Sequence, residues 1–138
     1  ETLVEKKDIK KADIIEHDSY VKELLKYIIT DLKKFRQLHG DNSLGGMVIC
    51  ETSEQARKLY AYFDEIQHEL NADSSLQSHF KAGLILHDSD DKETRKQIVK
   101  DFKKNMTIDI LIVFILLIGL ALNKAFATIQ TAKEVRQV

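Results

Sequence analysis

Residues Lys81 to Val113, KAGLILHDSDDKETRKQIVKDFKKNMTIDILIV, decide the fold, because they read as strand, loop, helix and strand with each boundary marked. Gly83 to Leu86 is a short apolar run that stops at His87, and a polar loop, HDSDD, follows. A helix is expected to begin near Asp90, where Asp90-x-x-Glu93 imitates a capping box. Asp90, Asp91 and Glu93 crowd its start and Lys100, Lys103 and Lys104 its end, as the helix macrodipole favours. Ile98, Val99 and Phe102 form its apolar stripe, Asn105 is its expected stop, and a second apolar run opens at Ile108. Two buried parallel strands joined by a covering helix satisfy this pattern.

Upstream, Val21, Leu24, Leu25, Ile28, Leu32 and Phe35 recur at helical spacing, with Asp18 or Ser19 as the expected N-cap and Gly40 as the stop. The turn HGDNSLGG releases the chain into Met47-Val-Ile-Cys50, too short for a helix and too apolar for an exposed edge, so a buried strand is predicted. Thr52-x-x-Gln55 is a second capping-box candidate. It opens a helix with Ala56, Leu59, Phe63 and Ile66 on its buried side and Tyr60 beside them, and Asn71 to Ser75 is the expected loop. Helix and strand alternate three times, as in an open parallel sheet covered on both faces. Residues 1–18, charged and weakly patterned, are expected to be a lead-in from an upstream domain, and 19–138 the domain itself.

At 138 residues, 43% hydrophobic and 31% charged, the chain suits one globular domain with a real core. A formal charge of −1 excludes a global basic field, so any nucleic-acid contact has to come from a local patch or from another part of a larger machine. The single cysteine, Cys50, permits no internal disulfide, and no signal peptide is visible, so a reducing cytoplasm is expected. From Ile110 to Leu122 the chain is apolar without a break, yet this falls short of the roughly 18 residues a membrane span needs and opens with β-branched residues suited to a strand. No membrane association is expected. Residues 123–138 suit a weak helix with Phe126, Ile129 and Ala132 or Lys133 on one side, and the domain is expected to be incomplete at that end.

In parallel α/β sheets ligands gather at the carboxyl ends of the strands. Here those ends are Cys50-Glu51-Thr52-Ser53, His87-Asp88-Ser89 and the region around Gly119. Thr52 and Ser53 hydroxyls, with the free amides of a helix start, suit a phosphate; the plainer role is capping. Cys50 and His87 would end neighbouring strands if those strands pair, which raises a cysteine nucleophile against the commoner buried structural thiol. His87, Asp88, Asp90 and Asp91 offer metal-binding atoms without the spacing of a calcium loop. The sequence contains no GxxxxGK[ST] phosphate loop and no acidic motif after a strand for magnesium, so the chain alone is not expected to hydrolyse ATP.

Gly83-Leu-Ile-Leu-His87, Arg95, Phe102 and Asp109-Ile-Leu-Ile-Val113, in that order, resemble the second RecA-like domain of superfamily 2 helicases and translocases. More narrowly, GGMVICETSEQARKLY with GLILHDSDDKETRKQIVKDFKKN and DILIVF is similar to the motor region of the restriction subunit of type I restriction-modification enzymes, over about Gly45 to Phe114. The resemblance implies a RecA-like three-layer α/β/α fold with a mostly parallel sheet, Met47 to Gln55 as helicase motif IV, and the strand from Asp109 as the start of motif V. It implies a bacterial cytoplasmic DNA translocase and endonuclease subunit that uses ATP and Mg. Its partners would be duplex DNA, an upstream RecA-like domain and a nuclease domain of the same polypeptide, and the modification and specificity subunits. By that resemblance Thr52, Ser53, His87, Asp88 and Ser89 are DNA-binding candidates and Gly119 a nucleotide-binding one. No catalytic residue and no metal ligand is assigned, and no cofactor is expected on this chain alone. Ile118, Leu120 and Ala121 depart from the family's motif V, and Gln130 and Arg136 lack the spacing of motif VI, so no arginine finger is assigned. The competing expectations are a stand-alone α/β binding or signalling module and, third, a small hydrolase using Cys50.

Overall fold

The computed structural model of the 138-residue chain describes residues 10–87 and 90–115. Its three apolar runs are strands β1 (Gly46–Ile49), β2 (Ala82–Leu86) and β3 (Ile110–Phe114), and its helices are α1 (Lys11–Ile15), α2 (Asp18–His39), α3 (Ser53–Ala72) and α4 (Lys92–Lys103). All strand pairs are parallel and the order is β1-β3-β2, with Val48 opposite Ile112 and Ile85 opposite Val113. The chain steps across the sheet from β1 to β2 through α3 and back to β3 through α4. Right-handed crossovers taken in opposite directions must lie on opposite faces, so the two helices sandwich the sheet.

Side-chain alternation along β3 reports the same three layers. Ile110 and Ile112 face α2 and α3, joining a core with Val21, Leu25, Ile29, Leu59, Phe63 and Ile66. Leu111 and Val113 face the other way, onto Phe102 and Ile108. The fold is therefore an α/β/α sandwich with a parallel sheet, as the alternation of helix and strand predicts, and of the RecA-like kind that the resemblance implies. A Cβ on Gly83 would stand 2.8 Å from Ile108 Cδ1 and 3.3 Å from Ile98 Cγ2, so glycine lets this second layer close onto the sheet.

Several boundaries differ from expectation for local reasons. The N-cap of α2 is His17, whose Nδ1 accepts from the Ser19 amide at 3.2 Å, and not Asp18 or Ser19. Gly40 does end this helix, with φ at 59° in the left-handed region that glycine tolerates. The cap of α4 is Asp91, taking the Thr94 amide at 2.7 Å, one residue later than Asp90-x-x-Glu93 suggests; Asp90 instead folds back onto the Leu86 amide at 2.6 Å. Val99 is 37% exposed, and Ile108 takes its expected place beside Phe102. No helix among the described residues is long and apolar enough to cross a membrane, and the apolar run from Ile110 begins as β3. The run from Leu116 onward, the weak helix expected over 123–138, and Ile118, Leu120, Ala121, Gln130 and Arg136 of the motif V and VI regions lie outside the described residues.

Two polar devices hold the amino-terminal edge of the sheet. Arg36 of α2 donates from Nε to the Leu44 carbonyl at 2.6 Å and from Nη2 to Asp109 Oδ1 at 2.7 Å, while Asp109 Oδ2 takes the Lys81 amide at 2.9 Å. The lead-ins to all three strands thus meet at one guanidinium, which also stacks over Phe80 at 4.8 Å. On α3, Gln67 pairs with both backbone groups of Phe80 (2.7 and 3.0 Å) and Asn71 with both of Ser78 (2.8 and 2.7 Å). Four helical residues rise about 6 Å. Two extended residues advance about 6.6 Å, so the two carboxamides line up with alternate residues of the entering strand as a neighbouring strand would.

Candidate strand-exit site

The three strands deliver their exits to one rim. Beyond β1, Thr52 caps α3 by accepting the Gln55 amide at 3.1 Å, and Gln55 reaches back to the Glu51 amide at 3.2 Å. This is the reciprocal cap that Thr52-x-x-Gln55 predicts. The amides of Ser53 and Glu54 in the first turn have no partner among the described residues, as is usual at a helix start. Beyond β2, the exposed His87 donates its amide to the Phe114 carbonyl at 3.0 Å. Arg95 of α4 ties this loop down through Nη1, at 2.8 Å from the Asp90 carbonyl and 3.4 Å from that of His87.

Thr52, Ser53 and His87 therefore share an edge, on either side of β3. Asp88, Ser89 and Gly119 lie outside the described residues. The conditional pairing of β1 with β2 does not occur: β3 intervenes, which puts the ends of β1 and β2 roughly 10 Å apart at two strand spacings. Cys50 and His87 are not adjacent strand ends. The Cys50 amide is bound to the Val113 carbonyl at 2.8 Å, its residue is 5% exposed, and burial pushes the thiol up to about 12. A thiol so placed stays protonated and does not act as a nucleophile at neutral pH. Because the folded state raises this group above its ordinary value, its contribution to stability is complete below about pH 9 and is lost as pH climbs towards about 12. Cys50 is expected to resist alkylation at neutral pH until the chain is unfolded in urea, measured by mass of the adduct; rapid labelling of the folded chain would contradict its burial.

Of the acids near His87, Asp90 is committed to Leu86 and Asp91 to Thr94. The Thr94 amide, then its hydroxyl, hold the Asp91 carboxyl below the usual range. Among the described residues no three His, Cys, Asp or Glu side chains gather to hold a metal.

Two cations at this rim carry no signal in the sequence, because their partners lie some 40 positions away. Lys11 of α1 meets Glu51 at 2.8 Å, and Lys58 of α3 donates to the Glu16 carbonyl at 2.6 Å and to Asp18 at 3.0 Å. The Lys58 ammonium lowers Asp18 and is itself raised by it. The Lys11 contact lays the segment before α2 against the exit of β1, and the Lys58 contacts hold it to α3. Two surface depressions, of about 440 and 400 Å³, lie elsewhere, sharing Gln77, Ser78 and His79 near the entry to β2. Comparison with protein-family models, with curated proteins and with solved structures finds no match to this chain.

Proposed function

We propose that this chain is the second motor domain of an ATP-driven DNA translocase of the type I restriction kind, meeting the backbone of duplex DNA with its strand-exit rim. The observation that carries the proposal is the convergence of three parallel strand exits on one edge, where the start of α3 presents two amides without a partner among the described residues, beside the Thr52 and Ser53 hydroxyls. Uncharged donors at a helix start suit a phosphate and read no base, as a motor that steps along any sequence requires. ATP and Mg would be held mainly by a neighbouring RecA-like domain, since this sequence contains no phosphate-loop motif. The chain's part would be to close over the nucleotide while gripping DNA.

Ser53→Glu tests the rim. A carboxylate is favoured in the first turn of a helix, so α3 is expected to remain folded while the new charge repels phosphate. In an anisotropy titration with mixed-sequence duplex at low salt, the variant is expected to bind about tenfold more weakly than the wild-type chain. Equal affinity of the two proteins removes the rim from DNA contact.

A further inference from the structure

With a net charge of −1, nucleic-acid contact needs a local patch, and α4 carries one. Lys92, Lys96, Lys100 and Lys104 recur every four residues along and just past this helix, all exposed, and helical geometry puts Lys103 in the same arc. Ile98 and Phe102 face the sheet on the other side. The Asp101 carboxylate is engaged by the side-chain carboxamides of Gln97 and Asn105, which donate to it, rather than by the lysines. Glu93 does enter the arc, 3.5 Å from Lys96 with both side chains exposed. Lys92, Lys100, Lys103 and Lys104 have no acidic partner among the described residues.

Helix stability does not account for this face. Lys100, Lys103 and Lys104 suit the negative end of the dipole, but Lys92 is the first helical residue and Lys96 lies in the first half, where a cation is disfavoured. Lys92 with Lys96, Lys96 with Lys100, and Lys100 with Lys104 are like charges one turn apart, and each pair lowers helix stability. A face kept only for solvation would interleave signs. Local cost without local return marks a functional surface.

We propose that the lysine face of α4 is a second backbone contact for duplex nucleic acid, its ammonium groups neutralising phosphates along one strand. This rests on the DNA-motor proposal and supplies positive charge that Glu51, Asp90 and Asp91 withhold from the rim. Lys92 stands at the rim, and the face leads away from it for about 18 Å at 1.5 Å per residue. That length covers about five phosphate steps of one strand. Lysines on flexible stems are point charges suited to phosphates, so this contact is independent of sequence.

The test is a salt series of duplex titrations on the wild-type chain, the double variant Lys96→Gln/Lys100→Gln, and Ser53→Glu. The double variant is expected to bind about tenfold more weakly, with the slope of log affinity against log salt shallower by about 1.8, the share of two phosphates. Its Tm should equal or exceed the wild-type value, because like-charge pairs are relieved. Unchanged affinity and slope overturn the lysine face; if Ser53→Glu still weakens binding, the rim stands without it. A loss confined to the double variant supports the lysine face and removes the rim. A lower Tm in the double variant overturns it too, since the lysines would then be serving the helix. A wild-type chain that binds no duplex at low salt overturns both surfaces.

Discussion

Asp109→Ala is expected to lower stability by about 3 kcal/mol, seen as a fall in the urea midpoint with an unchanged slope. The side chains of Arg36 and Asp109 are only 12% and 19% exposed, so removing the acid strands a guanidinium that little water can reach. It also deprives the Lys81 amide of its acceptor. Surface pairs behave differently. Lys11 and Glu51 are 72% and 47% exposed, and Lys11→Ala should stay within about 0.5 kcal/mol of the parent. If both substitutions cost the same small amount, Arg36 does not gather the strand entries as its geometry suggests.

Gln67→Leu should cost about 2 to 4 kcal/mol although it puts a more apolar side chain into a site where the residue is 8% exposed. The hydrophobic gain is about 1 kcal/mol. Against it stand the amide and carbonyl of Phe80, both bonded to the glutamine and both left without a partner in a buried setting. Asn71→Ala removes the equivalent pair at Ser78. Since the two carboxamides hold one segment, the double variant should cost less than the sum of the singles, by about 1 kcal/mol in a double-mutant cycle. Strict additivity would mean that Ser78 and Phe80 are held independently.

How far the sequence foretells this molecule depends on whether a feature is local. Gly40, Thr52 with Gln55, and the burial of Phe63 and Phe102 follow from residues within a turn or two of each other, and the structure contains them. Asp90 and Asp91 both qualify as caps by spacing; the Leu86 amide, which claims Asp90, decides between them and leaves no trace in the pattern. Strand order is still less legible. Nothing in the composition of Val48, Ile85 or Ile112 says which run is central, because pairing is set by packing across the whole domain. Gln67, read on a helix surface, looks like a solvated residue, and Arg36 gives no hint of a partner 73 positions away. At the rim, Thr52 is marked by the cap it forms with Gln55, and Ser53 by following it, whereas Lys11 and Lys58 depend on how the segment before α2 lies.

The strand order also governs when this protein can take shape during synthesis. β1 and β2 each touch β3 and not each other, and every other described element precedes β3 in the chain. A nascent polypeptide that has not yet released Ile110 to Phe114 from the ribosome holds two unmatched ribbons and no ladder between them. Its helices can lean on each other and on β2, but the sheet lacks its keystone, and a chaperone binding in that interval would meet Val48 and Leu84 without their β3 neighbours.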